Sequence, residues 1–224
     1  MTDEPTLRAD EKRLAAEAAA GLVADGMVVG LGTGSTVAFL LPALAARELS
    51  LTCVATSPAT EGAARVLGLD VRGSDEFARL DIAIDGADQV STDRWLVKGG
   101  GGAHTREKVV AAAADRFVVI VSADKVVERI GPPVPLELMA FGLDATLAEV
   151  GQLGPCRLRD VPPSPDGGVI ADYFGPVDDP AELAGRLDAV PGVIGHGLFP
   201  PSMVTDVVVG RSGAVEWLAG GVRQ

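Results

Sequence analysis

Three short stretches of this chain hold residue types that can seat an anion or move a proton. The first is Gly32-Thr33-Gly34-Ser35-Thr36, between an apolar run and a helix-like run. Amides at a helix N-terminus, joined by serine and threonine hydroxyls, make an anion site. The dinucleotide fingerprint needs a further glycine, but Val37 and Ala38 follow here. The Gly-Lys-Ser/Thr of a P-loop is also missing, so a phosphate monoester fits better than a nucleotide. Taken alone, the loop is equally well explained as a tight turn with a hydroxyl cap.

The second stretch is Asp85-Gly86-Ala87-Asp88, after the apolar run Leu80 to Ile84. Carboxylates at the carboxyl end of a parallel strand lie where open α/β sheets bind ligands. Aspartates also serve simply as turn formers in such places. The third stretch is Lys98-Gly99-Gly100-Gly101-Gly102-Ala103-His104-Thr105-Arg106-Glu107-Lys108. Four glycines in a row lose much conformational freedom on folding, and they let the backbone pass close to a ligand. Thr105 is the expected cap of the following helix, with Glu107 in its first turn, where the helix N-terminus favours a carboxylate. Asp124-Lys125 ends a further apolar run, Arg116 to Val121, and Lys125 is either a surface lysine or reaches a pocket at the strand end. An anion cradle with carboxylates and a lysine suits proton abstraction beside a carbonyl, the lysine stabilising an enediolate. The only histidines are His104 and His196, and no cluster has zinc spacing, so no metal and no cofactor is expected.

The elements that must position these groups follow a βα alternation. Residues 7 to 24 read as an amphipathic helix with Leu7, Leu14, Ala18, Leu22 and Val23 on one face. Strands are expected at Met27 to Leu31, Leu51 to Ala55, Leu69 to Val71, Leu80 to Ile84, Arg94 to Val97 and Arg116 to Val121. Helices are expected at about 37 to 49, 58 to 67 and 105 to 114. This is an open, mostly parallel sheet, and its loops would share one edge and line one cleft. After Gly131-Pro132-Pro133 the order becomes βαββαβ, from Val134 to Leu198, the split-βαβ arrangement. Asp206 to Val209 and Ala214 to Leu218 read as a hairpin returning to the first sheet. The expected domains are 1–131 with 205–224, Rossmann-like, and 132–204, small and ferredoxin-like.

Composition narrows the partners. Net charge is -12 over 224 residues, so there is no basic surplus for nucleic acid or an anionic membrane. A few lysines and amides suffice for one small phosphate. Mean hydropathy is +0.28, yet aromatics make up only 4%, so alanine, valine and leucine must fill the core. Cys53 and Cys156 stand far apart and form no CxxC pattern. They read as thiols in a reducing cytosol. The charged N-terminus is not a signal peptide, and no apolar run reaches spanning length.

The segments Gly30-Leu-Gly-Thr-Gly-Ser-Thr36, Asp85-Gly-Ala-Asp88, Lys98-Gly-Gly-Gly101 and Thr105-Arg-Glu-Lys108 resemble, in order and spacing, those of the type A ribose-5-phosphate isomerase family. The resemblance runs from the first helix through Val208 and includes Pro191-Gly-Val193 and Gly197-Leu-Phe199. It implies a Rossmann-like domain with a ferredoxin-like one, no cofactor and an oligomer, with a homodimer or homotetramer expected; the cysteines and the N-terminus give the expectation of a cytoplasmic location. It also implies interconversion of ribose 5-phosphate and ribulose 5-phosphate. By position, Glu107 resembles the general base, Asp85 the residue assisting ring opening, and Asp88 and Lys98 the groups on the sugar oxygens. Gly32, Thr33, Gly34, Ser35, Thr36 and Lys12 match phosphate-binding positions, Gly99, Gly100 and Gly101 the substrate loop, and Lys125 a lysine near the site. The sequence departs from the family pattern at Pro58, Gln89, Gly102 and His104, which leaves a modified pentose phosphate as an alternative substrate. A non-catalytic sugar-phosphate sensor is the alternative outside enzymes.

Overall fold

Apolar runs rich in valine and isoleucine form the strands, and alanine-rich stretches form the helices that cover them. The computed structural model describes residues 4–219. In chain order the elements are α1 (Glu4–Ala20), β1 (Val28–Leu31), α2 (Val37–Ala45), β2 (Thr52–Ala55), α3 (Pro58–Val66), β3 (Asp70–Val71), β4 (Leu80–Asp85), β5 (Gln89–Ser91), β6 (Leu96–Val97), α4 (His104–Ala113) and β7 (Ala114–Ser122). They continue with β8 (Val126–Val127), β9 (Val134–Leu138), α5 (Leu143–Leu153), β10 (Cys156–Leu158), β11 (Val169–Tyr173), α6 (Pro180–Asp188), β12 (Val193–His196), β13 (Leu198–Phe199), β14 (Asp206–Arg211) and β15 (Ala214–Ala219). Two compact units result. One comprises Met1–Ala87, Arg106–Val126 and Ser202–Gln224, and the other Asp88–Thr105 and Val127–Pro201.

The larger unit is built on a seven-stranded sheet in the order β15-β14-β7-β4-β1-β2-β3. Every neighbouring pair is parallel except β14 with β15, which form the expected hairpin. The central strands are covered on both faces and so read as continuous apolar runs. In α1 the buried residues are Glu11, Ala15, Ala16, Ala19 and Ala20, whereas Leu7 is exposed. The sequence reading chose the face with the larger side chains; the helix instead lies on its alanine side, where small residues admit close packing. Glu11 fixes that helix: its carboxylate accepts the amides of Ala123 at 3.2 Å and Ser212 at 3.0 Å.

In the smaller unit, β9-α5-β10-β11-α6-β12 form an antiparallel sheet in the order β10-β11-β9-β12, the ferredoxin-like arrangement. Its core gathers Val134, Leu136, Leu138, Val150, Tyr173 and Leu187. A separate short sheet runs β13-β6-β5-β8. Here the structure differs from the sequence reading in two ways. Residues 88–105 cluster with the smaller unit, because β6 pairs with β5 and with β13 rather than with the parallel sheet. The expected strand 193–198 also breaks at Gly197 into β12 and β13. No helix of the described residues is long and apolar enough to cross a membrane.

Candidate active site

In the larger unit the site begins where β1 and β4 end side by side. The amide of Gly32 continues the sheet by donating to Ile84 O at 3.0 Å. Asp85, the last residue of β4, is buried. Its Oδ1 accepts the amides of Thr33 at 3.1 Å and Gly86 at 2.7 Å. A Cβ at position 32 would overlap the Asp85 carboxyl group, so glycine is what lets the carboxylate lie against the loop. Ser35 and Thr36 lead into α2, and Lys12 reaches across from α1 to donate to Ser35 Oγ at 2.9 Å. A lysine, two hydroxyls and the first amides of a helix thus come together, an arrangement suited to a phosphate dianion.

Behind the loop lies a group of hydroxyls that the sequence reading did not single out. Thr33 Oγ1 lies 2.8 Å from Thr56 Oγ1 and donates to Ser57 Oγ at 2.9 Å. Ser57 donates to Thr60 Oγ1 at 3.1 Å, and Thr60 donates to Gly32 O at 2.9 Å. Each hydroxyl in this series has one proton to give, so the chain has a direction, and chains of this kind strengthen one another. Thr33 therefore engages its amide with Asp85 and its hydroxyl with the cluster. Ser57 also caps α3, receiving the Thr60 amide at 3.2 Å, with Pro58 in the first turn. Hydroxyls four or fewer residues apart before a helix were the available signal.

Glu107 is positioned by α4. The helix begins at His104 rather than after a Thr105 cap, so Glu107 still lies in its first turn. Val110 follows one turn later on the same face, and it packs on Gly30 of β1, where a Cβ would come within 2.5 Å of Val110 Cγ1. The helix passes directly into β7, whose first residue pairs with the first of β4, so its last turn is at the amino edge of the sheet and its first turn is directed toward the carboxyl edge. Glu107 is buried, 4% exposed. Lys125 sits in a short turn after β7, with Nζ 3.8 Å from Asp124. Partial burial disfavours the Asp124 carboxylate, but the Ser122 hydroxyl, Lys125 and Arg8 outweigh it and hold its pKa below the usual range.

The smaller unit carries the remaining candidates. Asp88 is exposed, and its Oδ2 accepts the amide of Gly100 at 2.8 Å. Lys98 is 2% exposed, its backbone amide donates to Gly197 O at 2.8 Å, and its ammonium lies 5.6 Å from the centre of the Phe199 ring. The tetraglycine stretch follows β6, so it does not leave the parallel sheet as the sequence reading had expected. His104 is buried against Gly99, with Nδ1 2.7 Å from where a Cβ would be. Gln89 exchanges two hydrogen bonds with the backbone of Gly131, at 2.9 and 2.8 Å. Two of the departures from the family pattern, Pro58 and Gln89, thus have local structural uses. Among the described residues no group of three or more histidine, cysteine, aspartate or glutamate side chains is placed to hold a metal.

An anion cradle held against a buried carboxylate, at the carboxyl edge of a parallel sheet, suits an enzyme that acts on small phosphorylated substrates. A family model described as ribose 5-phosphate isomerase A (phosphoriboisomerase A) matches residues 52–213. A ribose-5-phosphate isomerase A from Roseiflexus sp. (strain RS-1) is 43% identical over 95% of this chain and 97% of its own length. The structure of ribose 5-phosphate isomerase A from Methanocaldococcus jannaschii has a TM-score of 0.89 and 34% identity, covering 97% of this chain and 100% of that one. A D-ribose-5-phosphate isomerase solved in complex with phospho-erythronic acid has a TM-score of 0.88 and 30% identity, covering 97% and 100%. The chain belongs to the ribose 5-phosphate isomerase A family.

Proposed function

We propose that Glu107 is the proton shuttle of this isomerase. The enzyme interconverts D-ribose 5-phosphate and D-ribulose 5-phosphate through an enediolate. In the aldose-to-ketose direction the Glu107 carboxylate takes the C2 proton of the open-chain sugar. The electron pair moves into the C1–C2 bond, and negative charge develops on O1. The O2 hydroxyl proton passes to O1, the charge shifts to O2, and the carried proton returns at C1 as the C2–O2 double bond forms, so no atom is gained or lost. Asp85 assists ring opening, in which the C1–O4 bond breaks, the anomeric hydroxyl O1 loses its proton and the ring oxygen O4 gains one. Lys98 and Asp88 serve the sugar oxygens, Lys98 offsetting the developing oxyanion charge. Gly99 and Gly101 serve the same end of the substrate, and the Gly100 amide holds Asp88 there. Gly34, Ser35, Thr36 and Lys12 hold the phosphate, Gly32 and Thr33 keep their loop in shape through Ile84 O and Asp85, and Lys125 adds positive charge. No metal or cofactor is needed for these steps.

The observation that carries this reading is the placement of Glu107 in the first turn of α4, directed toward the sheet edge where Asp85 bonds the anion loop. Binding of phospho-erythronic acid, an acid phosphate, by a relative supports the assignment of an anion-seating site. We further infer a pentose phosphate pathway enzyme, cytoplasmic, acting as a homodimer or homotetramer. Proton NMR of ribose 5-phosphate with the enzyme in D2O tests it. Ribulose 5-phosphate should appear with solvent deuterium exchanged into the reacting carbons; absence of both would overturn the reading.

A further inference from the structure

Glycine restricts the backbone least, and within the tetraglycine stretch one turn bond, from the Gly102 amide to Gly99 O at 3.0 Å, opposes that freedom. Within the smaller unit the Arg159 side chain adds to the restriction. Arg159 follows β10 and is tied to the sheet through its amide, which donates to Ile170 O at 2.9 Å. Its guanidinium forks onto Asp172 of β11, Nε to Oδ2 at 2.9 Å and Nη2 to Oδ1. The third nitrogen, Nη1, donates to two successive carbonyls, Gly99 O and Gly100 O, each at 3.0 Å. Both side chains are largely buried, 19% exposed for Arg159 and 15% for Asp172. The hydrogen bonds to Asp172, with its charge and that of Asp88, outweigh burial and raise the Arg159 pKa, so the cation is permanent.

Two carbonyls turned to one guanidinium fix two peptide planes. In a trans peptide the N–H points opposite to its C=O, so the amides of Gly100 and Gly101 point away from Arg159. The Gly100 amide meets Asp88 Oδ2 at 2.8 Å. Position 100 must lack a side chain for this, because a Cβ would lie 2.7 Å from Asp88 Oδ1. A continuous series therefore runs from Asp172 through Arg159 and the Gly99 and Gly100 carbonyls to Asp88. A lysine cannot replace this, because it lacks the planar fork that serves a carboxylate and two carbonyls at once.

We propose that Arg159, anchored by Asp172, is a positioning residue that orients the Gly101 amide and, through the Gly100 amide, the Asp88 carboxylate for the sugar end of the substrate. The proposal rests on the assignment of Asp88 and this loop to the sugar. Arg159 itself touches no reacting atom. An ion pair serving only the β10–β11 hairpin would have no need of the two loop carbonyls.

The test compares Arg159→Ala, Arg159→Lys and Asp172→Asn with the parent, with kcat and KM expressed per folded molecule from circular dichroism. Misplacement of about an ångström costs on the order of 10²-fold, so kcat of Arg159→Ala should fall roughly that far. KM should change little, because the phosphate is held by residues outside this series. Guanidinium chloride well below denaturing concentration should restore part of the lost kcat of Arg159→Ala, and equal sodium chloride should not. Asp172→Asn should lower kcat less, since the carbonyl bonds survive. If Arg159→Ala does not fold, Arg159→Lys decides by its kcat against the same parent. Parent-like kcat per folded molecule, whatever happens to Tm, overturns the proposal. An inactive parent would instead contradict the isomerase reading, so the two failures are distinguishable.

Discussion

The amide of Thr33 donates to Oδ1 of Asp85 across 3.1 Å, tying the anion loop after β1 to the carboxylate that ends β4. The bond couples the loop proposed to seat the phosphate to the carboxylate proposed to assist ring opening, so a shift of either strains the other. The absent side chain at Gly32 is the condition for it.

Gly32→Ala should therefore damage activity more than its size suggests. The new methyl group overlaps the Asp85 carboxyl, and relief requires moving the carboxylate or the loop. Displacements of this kind cost on the order of 10²-fold in rate, and kcat/KM for ribose 5-phosphate should fall at least that far. A variant with parent-like kcat/KM would show that Asp85 and the loop are not functionally coupled.

Ser35→Ala combined with Thr36→Ala should act chiefly on KM. The phosphate does not change during the reaction, so its hydrogen bonds are present in ground and transition states alike. Lys12 loses its Ser35 partner in the same variant, which adds to the effect. Saturation kinetics with KM unchanged would remove this loop from the phosphate site.

The polarising groups assigned here are a lysine, carboxylates and amides, so activity should survive exhaustive treatment with EDTA. Loss on chelation, with recovery on adding a divalent cation, would contradict the mechanism.

Burial, with some help from Asp70, pushes the Cys53 thiol up to about 11. Burial also raises Cys156. The thiolate is the reactive form, so in the native protein at pH 8 labelling of Cys53 by a thiol reagent should be slow. Unfolding should expose both cysteines to rapid labelling. Rapid native labelling of Cys53 would contradict its placement in the core.

The sequence displayed the parallel sheet because central strands written as Val, Ile and Ala runs admit few alternatives, and the strand-turn-helix glycines of β1 and α2 could be seen locally. Asp85 and Glu107 were visible for the same reason: each follows or begins an element whose type is clear. Other features depend on pairings distant in the chain. Strands β5, β6 and β13 have two or three residues each, too few for periodicity, and β13 joins β6 from about a hundred residues away. That is why the Lys98 loop was read onto the wrong sheet. The face of α1 was misread because leucines outweigh alanines in any hydrophobic count, while the packing called for small residues. Arg159 and Asp172 meet only once β10 and β11 are in register, with Arg157 opposite Asp172. Nothing in their separation of 13 residues announces a clamp on Gly99 and Gly100.

The central claim is that Glu107 moves the proton, and exchange of the C2 proton of ribose 5-phosphate with solvent measures that step directly. Glu107→Gln keeps the shape of the side chain and removes its basicity. General acid–base catalysis is worth ~10²–10⁴-fold, so exchange and kcat should fall together by at least the lower figure while ribose 5-phosphate still binds. Exchange and turnover near the parent's in a folded Glu107→Gln protein would contradict the account, leave Glu107 a structural residue at the start of α4, and make Asp85 or Asp88 the base.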